Sequence, residues 1–368
     1  MNLRTRFKVC HIRRVRQLKL SLSLSQKRSR ETRCKLLSQP PPRLLRLGQA
    51  CRENTIQNRT YKRMSIKVLY IAGAGRSGST FLSLMLSQHA QTYNIGQIRD
   101  LPEARRSAAP CSCRRSVPDC AYWGPVIARL EAAHGPDALQ ALQAGMAAFG
   151  TASGEAPNWH EPQVRDKLAR ENAEFLTLFG DLYAAAAEQA GGRMLIDSSK
   201  SVDLCLALSL LPQVDLHILN LVRDPRAVAV SWAKVLKRPK VLRGRTRNWA
   251  GRQRRLKRLE VLNPAKFMLL RYEDLTVDPQ HWMGRIQDWA GVPRDLTLFT
   301  GTDTADISWE EAHLFPPANA TVLKERKSEI EIRPAESWKQ AKNADLHAMA
   351  EEVTFPFAET LGYSRGLG

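Results

Sequence analysis

Residues 73–80 read GAGRSGST, a glycine-rich turn placed after the apolar run VLYIA and before TFLSLMLS. Backbone N–H groups of such a turn, with the free N–H groups of a following helix, make a concave site for an anion. Ser77, Ser79 and Thr80 add hydroxyl donors, and Arg76 adds a permanent, fork-shaped cation. Gly75, Arg76, Ser77, Gly78, Ser79 and Thr80 are therefore the candidate anion-binding residues of this loop. The spacing nearly reproduces the nucleotide-binding pattern GxxxxGK(S/T): Gly73, Gly78 and Thr80 are in register, and Ser79 stands where the lysine should be. A Mg-dependent kinase or NTPase needs that lysine at the β/γ-phosphates and an acidic strand end for the metal. Ser79 cannot supply the charge, so that reading is kept as an alternative.

A second constellation is HILNLVRDPRAVAVSWAK, residues 217–234. Arg223 leaves a strand end, Asp224-Pro225 makes a turn, and the next helix carries Ser231. Arg223 and Ser231 can both face a phosphate at a cleft, or Arg223 and Asp224 can be a plain surface turn pair. A third short stretch, DSSK at 197–200, places Lys200 just beyond another strand, as a second cation or as an ordinary surface lysine. RYEDL, at 271–275, reads as a strand end secured by Arg271 and Glu273.

The elements that must carry these residues alternate. Short β-branched or apolar runs at 68–72, 194–196, 217–222 and 267–270 predict strands, and 80–87, 206–211 and 227–235 predict helices. Such alternation predicts a three-layer αβα domain with a mostly parallel central sheet, of the P-loop NTPase-like kind. Ligands then belong at the carboxyl ends of the strands. Between about 104 and 192 lies an Ala-rich helical insertion, whose helix at 172–189 is expected to cover that edge as a lid and shape the pocket. Residues 234–258 hold twelve Lys/Arg and no acid, which fits a cleft wall or a solvated helix.

The net charge of +20 is mostly a tail: residues 1–63 carry 18 Lys/Arg against Glu31 and Glu53, or +16, leaving +4 for 64–368. The domain division is thus 1–63, a basic and disordered tail or a mis-assigned start before Met64, and 64–368, the folded domain. An organelle transit segment is a further reading of the tail. Nucleic-acid binding through the basic segments is a second alternative function, but only Trp232 and Trp249 lie near 234–258 as stacking platforms. No apolar run is long enough to span a bilayer, and seven cysteines in a chain of this size do not suggest a disulfide scaffold. The expected location is the cytoplasm. Cys111, Cys113 and Cys120, in CSCRRSVPDC, are packed thiols, a disulfide, or part of a zinc site; zinc would need a fourth ligand and more usual CxxC spacing.

Taken together, GRSGSTFL and LVRDPRAVAVSW resemble the paired signature of sulfotransferases that use 3′-phosphoadenosine 5′-phosphosulfate (PAPS). DSSK, RYEDL and the CSC…C…YW stretch at 111–123 are similar to features of the bacterial-type branch. The resemblance implies that the first loop holds the 5′-phosphosulfate and that Arg223 and Ser231 hold the 3′-phosphate. It also implies Arg76 and Lys200 as catalytic cations, PAPS as sulfuryl donor and no metal requirement. The implied acceptor is a hydroxyl or amine on a glycan, lipid or small molecule, with an acidic glycan or lipid fitting the positive cleft. Related enzymes often place a general-base Glu where Gln97 stands. Asp100, Glu103, His89 and His160 are the substitutes to test by position.

Overall fold

The computed structural model describes residues 65–366 apart from 157, 237, 311 and 317–319. The tail 1–63 and Met64 lie outside the described residues. Five strands form one parallel sheet: β1 (Ile66–Gly73), β2 (Thr92–Gly96), β3 (Met194–Asp197), β4 (Val214–Val222) and β5 (Phe267–Arg271), in the order β2-β3-β1-β4-β5. Helices cover both faces, as the alternating pattern predicts. The apolar run in β1 is continuous because both faces are buried. Val68, Tyr70 and Ala72 join one core with Phe179, Tyr183, Leu206 and Leu256, while Leu69 and Ile71 join the other with Leu82, Met85 and Ile286.

The four strands expected from the sequence are present, and each is longer by a residue or more. β2 was not foreseen: TYNIG is short and lies at the sheet edge, yet all five residues are buried. The insertion corrects an expectation. Of its helices Trp123–His134, Ala138–Glu155, Pro162–Glu171 and Ala173–Gln189, the last packs on a face of the sheet, against β1 and β3, and not over the carboxyl edge. Phe179, Leu182 and Tyr183 lie flat in the core against the first face of the sheet, because their apolar stripe has a buried strand surface to cover.

Gly73 fixes how the sheet hands over to the loop. Its φ of 123° is a left-handed value, and a Cβ there would sit 2.3 Å from the Leu221 carbonyl oxygen in the neighbouring β4. Neither the backbone angle nor the contact can relax cheaply. Gly73→Ala is therefore expected to destabilise the domain by about 2–5 kcal/mol in chemical denaturation; a loss below that range would mean that β4 can move aside.

Candidate active site

The chain order reverses around β1, since β3 lies on one side of it and β4 on the other. Open parallel sheets bind ligands at such a switch point. Each of the adjacent strands β3, β1 and β4 delivers a cation from its carboxyl end. The loop after β1 brings Arg76, the turn after β3 brings Lys200, and β4 ends at Arg223. β2 adds Gln97 and Arg99, and β5 adds Tyr272.

Arg76 adopts a left-handed backbone, with φ of 73°. Its Nε donates to Ser231 Oγ at 2.9 Å, and Arg223 Nη1 donates to the Arg76 carbonyl oxygen at 3.1 Å. The two sequence constellations are thus physically joined. Gly78 has φ of 89°, and a Cβ there would lie 2.7 Å from the Tyr272 ring. Glycine at this position lets the loop turn into the helix Ser79–Leu86, whose first turn has no side-chain cap. Arg223 stacks on Tyr272, with its guanidinium carbon 4.4 Å from the ring centroid, and its buried Nε has no hydrogen-bond partner among the described residues.

Lys200 supplies the charge that the loop lacks. It is 6% exposed, and its Nζ donates to Ser79 Oγ at 3.0 Å and to the Ser198 carbonyl at 2.7 Å. The ammonium therefore reaches the position of the missing loop lysine from a different strand. Burial, then the nearby Arg99 charge, pull its pKa down to about 7, against the opposing pull of Asp197 and Asp100. The turn that holds it is rigid. Asp197, fully buried, accepts from the Ser199 N–H at 2.6 Å and from the Tyr183 hydroxyl. Ser198 Oγ donates to Gly96 O at 3.1 Å, and Ser199 Oγ accepts from Arg99 N–H at 3.3 Å. Both serines are committed to the turn and are not offered to a ligand.

These groups enclose a cavity of about 540 Å³. Gly75, Arg76, Gly78, Ser79, Thr80, Lys200, Arg223 and Ser231 all line it, so every expected site residue but one is brought together. The exception is Ser77, which is 1% exposed with its Oγ unpartnered in the protein, and which does not line the cavity. Arg99, Arg245 and Arg252 complete a ring of six cations, and no carboxylate lines the cavity among the described residues. Arg252 also braces the site by donating to the Lys200 and Gly73 carbonyls at 2.6 and 3.3 Å. Arg245 and Arg252 stand seven residues apart, two turns of the helix Pro239–Leu262, which is why one face of the basic run forms a wall. No described residue of 104–192 lines the cavity, contrary to the expectation that the insertion shapes it.

The general-base substitutes separate by position. His89 bonds to Pro293 O at 2.8 Å, Glu103 pairs with Arg106, and His160 is exposed. Asp100 is held by Arg99, and burial raises its pKa. None of the four lines the cavity, whereas Gln97 does, with its Oε1 buried and unpartnered. RYEDL secures the strand end: Glu273 accepts from the Asp224 N–H and the Tyr363 hydroxyl, both at 3.0 Å. Asp224 in turn caps its helix and holds the buried Arg226.

A profile described as the sulfotransferase family matches residues 69–296, which include the carboxyl ends of all five strands. No curated protein matches this chain. Among solved structures, the sulfotransferase domain from the Synechococcus PCC 7002 olefin synthase is similar at 22% identity, covering 82% of this chain and 96% of that one, with a TM-score of 0.46. The sulfotransferase domain from the curacin biosynthetic pathway is similar at 17% identity, over 82% and 99% of the two chains, with a TM-score of 0.45. Sulfotransferase STF9 from Mycobacterium avium is similar at 15% identity, over 83% and 78%, with a TM-score of 0.40. On the strength of the profile match, the chain belongs to the sulfotransferase family.

Proposed function

We propose that the cleft binds PAPS and that the enzyme transfers its sulfuryl group to an acceptor hydroxyl or amine. The observation that carries this reading is the direct link from Arg76 to Ser231 and from Arg223 to Arg76, which joins the glycine-rich loop to the segment 223–231 in one cationic cavity. A donor with anionic groups at both the 5′ and 3′ positions of its ribose uses both. The loop N–H groups, Ser79 and Thr80 receive the 5′-phosphosulfate, while Arg223 and Ser231 receive the 3′-phosphate.

In the transfer, the acceptor oxygen or nitrogen attacks sulfur in line, the bond from sulfur to the bridging oxygen breaks, and that oxygen leaves with the 5′-phosphate as adenosine 3′,5′-bisphosphate. Arg76 and Lys200 stabilise charge developing on the sulfuryl and bridging oxygens, held in place before the reaction by their bonds to Ser231 and Ser79. Six side-chain cations do the work for which a triphosphate enzyme uses Mg²⁺. Gln97 orients the acceptor, and its proton passes to water. The acceptor sits on a glycan, lipid or small molecule, and an acidic one is favoured by the uncompensated positive charge. Residues 64–368 form the catalytic domain, and the absence of a disulfide among Cys111, Cys113, Cys120 and Cys205, the cysteines of the described residues, suits the cytoplasm.

Titration calorimetry with adenosine 3′,5′-bisphosphate tests the reading. Micromolar binding without Mg²⁺ is expected; absence of binding, or a strict demand for Mg²⁺, overturns it.

A further inference from the structure

We propose that Cys111, Cys113, Cys120 and His313 hold a structural zinc ion, at a site separate from the cleft. The four potential ligand atoms lie within 4.8 Å of one another. Cys120 Sγ is 3.6 Å from Cys111 Sγ and 3.7 Å from Cys113 Sγ. His313 Nδ1 is 3.1 Å from Cys120 Sγ and 3.7 Å from Cys111 Sγ. A zinc tetrahedron with Zn–S of about 2.3 Å and Zn–N of about 2.0–2.1 Å has S···S edges of about 3.8 Å and S···N edges of about 3.5 Å. The cluster has the dimensions of that tetrahedron. It does not have those of a disulfide, whose sulfurs are about 2.05 Å apart, and Cys120 is nearly equidistant from both other thiols.

The surroundings hold the ligands before any ion arrives. The CSC turn and the segment 312–315 are stitched together: Ser112 N–H donates to Leu314 O at 2.8 Å, Leu314 N–H donates to Ser112 Oγ at 2.8 Å, and Ser112 Oγ donates to Ala312 O. Trp123 Nε1 donates to the His313 carbonyl at 2.8 Å. The imidazole stacks on Tyr122, 5.5 Å between centroids, which fixes the ring plane. Cys111, Cys120 and His313 are buried, and four protein ligands leave no open position, which marks a structural site rather than a catalytic one. Three thiolates and a neutral imidazole around Zn²⁺ leave one net negative charge, beside the exposed Arg114 and Arg115. Binding releases the thiol protons and closes the chain from 111 to 313, pinning the segment that follows Gln97 and Arg99.

Full-length protein purified without chelators is expected to contain about one zinc per chain by elemental analysis. Cys120→Ser and His313→Ala lose it, and Cys205→Ser keeps it. If those variants fold poorly, the wild-type protein still decides, because exchange of zinc for Co²⁺ gives the intense visible bands of tetrahedral thiolate coordination. Protein that holds no zinc and gives no such bands overturns the site. So does metal that Cys120→Ser and His313→Ala retain, or a mapped disulfide among the three cysteines.

Discussion

Arg76→Ala and Lys200→Met are each expected to lower kcat by about 10²–10³-fold, the effect of removing one preorganised donor from a developing oxyanion. Adenosine 3′,5′-bisphosphate, which lacks the sulfuryl group, should bind Arg76→Ala with a much smaller loss, because the guanidinium is aimed at a group that this ligand does not carry. Unchanged kcat with weakened bisphosphate binding would move Arg76 from the chemistry to donor anchoring. Lys200 adds a pH signature. With its pKa lowered to about 7, the amine is charged below that pH in the empty cleft and neutral above it. A bound dianion favours the ammonium, so binding at about pH 8 takes up protons and affinity falls as pH rises further. In calorimetry the observed enthalpy then depends on the buffer's ionisation enthalpy for the wild type and not for Lys200→Met. Equal buffer dependence in both proteins would place the titration elsewhere.

Arg223→Ala should raise the bisphosphate Kd by about 10²-fold or more, the scale of truncating one partner of a buried charge pair. The selective control is adenosine 5′-phosphosulfate, which has no 3′-phosphate and should bind wild type and Arg223→Ala alike. A parallel loss for both ligands would mean that Arg223 acts by supporting the Arg76 carbonyl, to which it is already bonded at 3.1 Å, rather than by meeting a phosphate. Arg223→Lys is not expected to restore affinity, because a lysine cannot both stack on Tyr272 and donate in two directions.

Much of this site was legible in the chain. The strand–glycine turn–helix order, with Arg76 beside it and Ser79 at the lysine position, predicts an anion loop because those features act through local backbone. Arg223 and Ser231 were legible as a turn and a helix face. What sequence could not show was convergence. Nothing near Ser79 announces that Lys200, 121 residues later, brings its amine to the same hydroxyl. Arg99 follows Gln97 with no local signal, and only β2, an edge strand too short to recognise, carries it into the cleft. The insertion misled because an Ala-rich amphipathic helix looks the same whether it covers a sheet face or a ligand. His313 was invisible as a partner of CSC for the same reason as Lys200: separation along the chain hides proximity in the fold.

Arg76 reaches across to the hydroxyl of Ser231, while Arg223 reaches back to the carbonyl of Arg76. Each half of the cleft is held in shape by a residue of the other, as two arches sharing a keystone. Exchange of one arginine side chain removes one of these bonds and leaves the other, so the loop and the helix stay tied in either single variant. The two halves of the cleft are thus tied twice rather than once.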